Sequence, residues 1–297
     1  MTPRKCYSIP LPGRAPLELG ARTLVMGIIN VTPDSFADSG QRFDADRAIA
    51  DGLRMIADGA DVIDVGGEST RPGAEPLPAD EELRRVLPVV TALAADRRVP
   101  VSIDTYKAVV AREAINRGAT IVNDVSGLQY DEQLAGVVAA SGAALVLMHN
   151  RGRSRTMYRE AVYADVCGEV AADLAAAIGR AEAGGVPRDV VIVDPGFGFA
   201  KRAEHTWASL AGLESLAALD RPILAGPSRK SFLTSAIGDR APADRDWATA
   251  ASVAACVLLG AHIVRVHSVR EMFDAVRVAD RIRAAAGLPA PSDTPAK

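Results

Sequence analysis

The chain repeats one unit: a short apolar run rich in Val, Ile and Leu, then a stretch whose apolar residues recur at helical spacing. The runs are TLVMGIIN (23–30), DVIDVGG (61–67), VPVSIDT (99–105), TIVNDVS (120–126), ALVLMHN (144–150), DVVIVDPG (189–196), RPILAGPSR (221–229) and AHIVRVHS (261–268). Between them, Ile49, Leu53, Ile56 and Ala60 share one helix face, as do Val166, Val170, Leu174 and Ala181, and Met272, Phe273, Val276 and Ala279. Near-continuous apolar strands suit a parallel sheet covered by helices. Strand–helix units repeated eight times suit an α/β fold, a closed TIM (β/α)8 barrel. A doubly wound open sheet is the second choice, weakened because no GxGxxG follows the first run. Residues 5–20, with Pro-Gly at 12–13, read as a short N-terminal hairpin or plug. One domain is expected over 1–287, with a disordered tail at 288–297.

Composition narrows the partners. The chain of 297 residues is 48% hydrophobic, 24% charged, and carries a net charge of -3 without a long basic block. Nucleic-acid binding, which needs clustered Lys and Arg, is not expected. The cysteines Cys6, Cys167 and Cys256 are widely separated and lack CxxC spacing, so reduced thiols in a cytoplasmic protein are expected rather than disulfides or zinc. The N-terminal segment has no apolar core of a signal peptide. The apolar stretch at 248–264 is broken by Gly260 and His262 and reads as a buried helix entering a strand, not a membrane span.

Polar groups sit at the strand ends. Asn30 ends the first run, and Asp64 lies within the second. Asp104, Asn123-Asp124, His149-Asn150 and Asp194 close the next four, Ser228-Arg229-Lys230 the seventh, and Arg265 and His267 the eighth. In a parallel barrel all these ends meet at the rim that carries active sites. Asp104, Asn123 and Asp194 form an acceptor set suited to a flat heterocycle such as an aminopyrimidinone. Each Asp could instead cap a helix; for Asp124 the cap or loop staple is the better reading. Arg71, Lys230, Arg265 and His267 form a donor set, with Arg265 and His267 on the same face of one strand. Barrels often hold phosphate near strands seven and eight, so a heterocycle bearing a pyrophosphate leaving group is implied. His262 reads as structural, and His205 as the start of a helix.

These residues lie in segments with a wider match. MGIINVTPDSF (26–36), DVIDVGGESTRPGA (61–74), SIDTYK (102–107), NDVSG (123–127), LMH (147–149), VDPGFGFAK (193–201), SRK (228–230) and RVHSV (265–269) resemble, in order, the motifs of the dihydropteroate synthase family. The resemblance implies a transferase of folate biosynthesis. It would join 6-hydroxymethyl-7,8-dihydropterin pyrophosphate to p-aminobenzoate and would be a sulfonamide target. It places Asp104, Asn123, Asp194 and Lys230 on the pterin, and Arg265 and His267 on the pyrophosphate, with Thr70 nearby and beside the incoming amine. Asn30 would sit on a Mg²⁺ ion. Phe36, Pro72, Phe199 and Ser231, with an Asp38–Arg71 pair, would surround the amine. A homodimer is also implied, with the helix near 248–259 as one candidate interface and ordinary barrel packing as the other reading of that helix.

The chain departs from the family pattern at FADSG (36–40), at Pro227 before SRK, and in the basic stretch NRGRSRTMYREAVY (150–163). None of these removes a pterin or pyrophosphate contact, although they bear on sulfonamide sensitivity. Two other readings share the acceptor set: a methyltetrahydrofolate–corrinoid methyltransferase, disfavoured by the donors Lys230, Arg265 and His267, and a pterin-binding paralogue without turnover.

Overall fold

The computed structural model describes residues 1, 3–32, 41–70, 73–153, 156–159 and 161–288, with backbone alone at 41–44. A hairpin comes first, β1 (Tyr7–Ile9) against β2 (Leu17–Leu19), in antiparallel register. Then follow β3 (Leu24–Asn30), α1 (Gln41–Ala57), β4 (Val62–Gly66), α2 (Ala79–Asp96), β5 (Val101–Asp104) and α3 (Ala108–Asn116). The middle of the chain forms β6 (Ile121–Asp124), α4 (Leu134–Ser141), β7 (Ala144–Met148), α5 (Val166–Ala183), β8 (Val191–Asp194) and α6 (Ala203–Ala211). The last part forms β9 (Leu224–Ala225), α7 (Thr234–Ile237), α8 (Asp246–Leu258), β10 (Ile263–Val266) and α9 (Val269–Ala285).

The strands form one parallel sheet of eight in the order β8-β7-β6-β5-β4-β3-β10-β9. A parallel bridge between Val193 and Ile223, with the Val193 N–H donating to Pro222 O at 2.9 Å, joins the two ends. The sheet is thus a closed barrel, and the doubly wound alternative is excluded. The seventh expected strand is short, only Leu224–Ala225, because Pro222 and Pro227 bracket it and cannot donate to a ladder.

Helix α2 illustrates how the outer layer forms. Asp80, Glu81 and Glu82 occupy its first turn, where the helix dipole favours negative charge. Val86, Val89, Val90 and Leu93 recur at helical spacing and are fully buried against the sheet. The helix stops at Arg97, which takes a left-handed φ of 60°.

The barrel interior positions the site. Leu24, Met26, Val62, Ile121, Ala144, Val146, Ile192, Leu224 and Ile263 form one apolar cluster with Ile9, Leu11, Leu17 and Leu19 of the hairpin. The hairpin therefore plugs the N-terminal mouth. Side chains alternate along a strand, so the residue two positions on faces inward one layer higher. From Val62, Ile121, Ile192 and Ile263 that step reaches Asp64, Asn123, Asp194 and Arg265. The barrel is apolar below and polar above.

Buried polar ties hold the plug. Arg4 donates to Asp280 and to Ala261 O, each at 2.8 Å, and Asp280 also accepts from the Thr23 N–H at 2.7 Å. His262 accepts from the Ile223 N–H at 3.1 Å and lies 3.1 Å from Lys5 O, so its Nε2 carries the proton and the ring is a neutral strut. His205 sits in the first turn of α6. Leu288 is described, whereas residues 289–297 of the expected tail lie outside the described residues.

Candidate active site

Asp64 lies at the centre of the polar layer with no solvent exposure. Its Oδ2 accepts from Arg265 Nε at 2.6 Å and from Asn123 Nδ2 at 2.8 Å. Arg265 Nη2 reaches across to Asp104 Oδ2, also at 2.6 Å. The register explains the meeting: Asp64 pairs opposite Ser102, Gly66 opposite Asp104, and Asp104 opposite Asn123. Gly66 lacks a side chain, which leaves Asp104 room beside it; a Cβ there would lie 3.3 Å from the Asp104 Cβ. The acceptor and donor sets separated in sequence thus form one network. Arg265 pairs with both carboxylates, which would otherwise be costlier to bury, although its one charge offsets only one of the two. Burial pushes the Asp104 carboxyl above its usual range and Arg265 pulls it back.

The other readings for the Asp residues divide. The α3 N-terminus is capped by Asp131, which accepts from the Ala108 N–H at 2.8 Å, so Asp104 is not the cap. Thr105 accepts from the Lys107 N–H at 3.2 Å. Asp124 is a loop staple: it accepts from the Ser126 and Leu128 N–H groups.

Asp194 is on the facing wall. Its Oδ1 accepts from the Gly196 N–H at 2.7 Å. Burial raises its pKa, and the nearby Lys230 ammonium opposes that. Lys230 donates to Phe197 O at 2.6 Å and lies 4.6 Å from the centre of the Phe199 ring. Burial lowers its pKa to about 8, with Asp194 opposing.

His267 is held by Ser228. The Ser228 hydroxyl accepts from the His267 backbone N–H at 3.1 Å and stands 2.9 Å from Nδ1. The hydroxyl has a second lone pair as well as its proton, so it can partner Nδ1 in either ring tautomer. Burial, then Arg265 and Arg229, depress the imidazole to about 3. His267 is therefore a neutral ring rather than a cation. Arg229, at a left-handed φ of 58°, forks onto Asp246 at 2.7 Å.

Asn30 is half-buried at the end of β3, opposite Gly66. Thr70 and Phe199 line a cavity of about 60 Å³ with Glu68, Tyr106, Tyr130, Asn150 and Arg153. Ser231 is exposed at the start of a short 3₁₀ turn. Phe36, Asp38, Arg71 and Pro72 lie outside the described residues. In the basic segment after β7, Arg151 pairs with Glu169 and Asp173, and Arg153 covers the Tyr130 ring.

This rim fits a known group. The profile described as "Pterin binding enzyme" matches residues 26–267. The dihydropteroate synthase of Mycobacterium leprae is 48% identical over 260 residues, which cover 86% of this chain and 91% of that protein. The chain belongs to the dihydropteroate synthase family. Among solved structures, Burkholderia cenocepacia dihydropteroate synthase complexed with 7,8-dihydropteroate superposes with a TM-score of 0.85 at 41% identity, covering 95% of this chain and 99% of that one. The Yersinia pestis dihydropteroate synthase–sulfonamide complex gives a TM-score of 0.87 at 37% identity, covering 93% and 99%.

Several residues of this dihydropteroate synthase rim escaped assignment from sequence. Asp64 was visible only as a carboxylate inside a strand; nothing local says that it meets Arg265, 201 positions away. Ser228 needed the partner His267. Lys107 binds both Glu68 and Glu82, fastening the base of the segment after β4 to α2, and Tyr106 adds a bond to Glu68 at 2.9 Å. Lys201 and His149 lie within matched motifs, but carried no role until their burial was seen.

Proposed function

We propose that this chain condenses 6-hydroxymethyl-7,8-dihydropterin pyrophosphate with p-aminobenzoate, forming 7,8-dihydropteroate and pyrophosphate. The observation that carries the reading is the Asp64–Asn123–Arg265–Asp104 network beside Lys230 and His267. It sets acceptors for a pterin edge directly against donors for a pyrophosphate, in a chain of the dihydropteroate synthase family. Because Asn123 Nδ2 is spent on Asp64, its Oδ1 is left as the acceptor for the pterin. Asp104 and Asp194 accept the remaining ring and amino N–H groups, and Lys230 donates to the carbonyl side.

The reaction breaks the C–O bond between the pterin methylene and the pyrophosphate and forms a C–N bond to the amine, which then loses a proton. Pyrophosphate departs with the bonding pair. Arg265, Lys230 and the neutral His267 donate to the oxygens where that charge collects, a fixed set of dipoles and charges in a partly water-excluded site. Asp104 and Asp194 favour positive charge on the pterin side. Thr70, Phe199 and Ser231, with Phe36, Asp38, Arg71 and Pro72, are proposed to receive p-aminobenzoate. A sulfonamide is proposed to compete there.

Mg²⁺ belongs to the same proposal. Among the described residues, no group of three His, Cys, Asp or Glu could hold a metal alone. One amide, Asn30, at the rim near the donors fits an ion that takes most ligands from water and substrate phosphates. When bound, the ion would neutralise charge on the pyrophosphate.

Self-association is proposed through the α8–α9 face, where Trp247 is 89% exposed and Val278 61%. Free thiols at Cys6, Cys167 and Cys256 fit a cytoplasmic setting. No described helix is long and apolar enough to cross a membrane.

The test is purified protein with both substrates and Mg²⁺, scored for dihydropteroate and pyrophosphate in equal amounts. Pterin binding without product would instead favour the paralogue without turnover. Arg265→Ala is expected to weaken pyrophosphate-bearing pterins far more than the free pterin; an equal loss for both would remove Arg265 from the pyrophosphate.

A further inference from the structure

Lys201 is 1% exposed, among the most deeply buried large side chains of the molecule, and the reaction above does not use it. Its Nζ lies 2.7 Å from His149 Nδ1 and donates to Gly196 O and Phe199 O, each at 3.2 Å. Burial lowers the Lys201 pKa well below the usual lysine value, with Asp194 opposing, while three acceptors surround Nζ and match the three N–H groups of an ammonium. The acceptor state of His149 Nδ1 is set from its other side, where Nε2 stands 3.1 Å from Asp173 Oδ2. A ring that donates through Nε2 and accepts at Nδ1 is neutral, and burial keeps it so, lowering its pKa to about 4. Asp173 is in turn gripped by Arg151 through Nε at 2.9 Å and Nη2 at 2.8 Å.

The two carbonyls belong to the turn between Asp194 and Lys201. That turn is tight: Gly196 has a φ of 65°, and a Cβ on it would lie 2.1 Å from His149 O. The turn carries two groups that face Lys230, the Phe197 carbonyl and the Phe199 ring. They are not held alike. The Phe197 side chain is fully buried, 6.5 Å from the Phe232 ring, so core packing fixes its carbonyl. Phe199 is only half-buried. Its backbone is fixed by its N–H to Gly196 O at 3.0 Å and by Lys201 on its carbonyl.

We propose that Lys201 is a positioning residue for the aromatic-amine pocket. From beneath the turn it pins Gly196 and Phe199, with His149 and Asp173 as the struts that keep its third N–H occupied. The proposal rests on the reading of Phe199 as a wall of that pocket. It assigns Lys201 no contact with either substrate.

The test compares wild type with Lys201→Met, which keeps the length of the side chain and removes all three donors. The expected result is a KM for p-aminobenzoate raised about tenfold or more, the scale of one lost buried hydrogen bond. The KM for dihydropterin pyrophosphate and kcat are expected to change less than the p-aminobenzoate KM, because Phe197 and Lys230 keep their own anchors and Asp194 is reached only through Gly196 and the lost charge. Asp173→Ala is a second variant at a 45% exposed side chain, so its folding is not in question. It releases the His149 tautomer and is expected to shift the same KM in the same direction by a few fold. An unchanged p-aminobenzoate KM in both variants overturns the proposal, as does a fall in kcat with both KM values unchanged. A wild type that makes no dihydropteroate refutes the proposed reaction instead, and the positioning role is then read from p-aminobenzoate binding by calorimetry, with the same contrast expected.

Discussion

Replacing Asp64 with alanine removes one oxygen that two donors share, Arg265 Nε at 2.6 Å and Asn123 Nδ2 at 2.8 Å. Arg265 keeps Asp104, so the buried guanidinium is not fully stripped. The loss then falls near the lower end of the cost of breaking a buried pair, about 3 kcal/mol. At roughly 2–4 °C per kcal/mol for a domain somewhat smaller than this one, and less for a larger chain, the melting temperature should fall by about 5–10 °C. Catalysis should suffer separately. Asn123 loses the bond that orients its amide, and Arg265 loses one of its two anchors. A fall of about 100-fold in kcat/KM, near 2.7 kcal/mol of transition-state binding, is expected. Asp64→Asn keeps an oxygen for both donors but not the charge, so it should cost only about tenfold. Dihydropteroate formation and thermal unfolding, read on the same samples, check both numbers. A double-mutant cycle with Arg265→Met should give a coupling of about 1–3 kcal/mol. A kcat/KM within about threefold of wild type for Asp64→Ala, or an additive cycle, would refute the idea that Asp64 organises the site.

Two further outcomes follow from titration. Lys230 carries its charge, and so its strong donor, only as the ammonium and its pKa is lowered to about 8, so kcat/KM should fall about tenfold per pH unit above that value; a profile flat to about pH 9.5 would contradict it. His149 and His262 are lowered from 6.5 to about 4, so the unfolded chain binds their protons first as pH drops. Their contribution is fully present above 6.5 and is lost as pH falls towards 4, about 3 kcal/mol for each, and urea unfolding of His262→Gln should lose about half of that acid-side slope.

The sequence alone determined the class of fold and most of the rim. Eight apolar runs alternating with helical periodicity leave few ways to cover a parallel sheet, and the polar residue closing each run marks the end where the loops gather. These are local properties, since periodicities of two and 3.6 residues are visible in any short window. Asp104, Asn123, Asp194, Arg265 and His267 could be picked out because each breaks an apolar run at its end.

Only the tertiary structure decided how those groups are paired. The last strand, β10, pairs beside the first barrel strand, β3, and the inward layer then places Arg265 between Asp64 and Asp104. No spacing in the chain encodes that contact, because it depends on barrel stagger and side-chain reach. The same is true of His267, whose Nδ1 meets a hydroxyl 39 positions away. It is true as well of Lys201, an ordinary surface residue by type, whose burial the wrapping of one turn imposes. A charge buried in this way persists only where its partners converge, and convergence is a property of the folded chain.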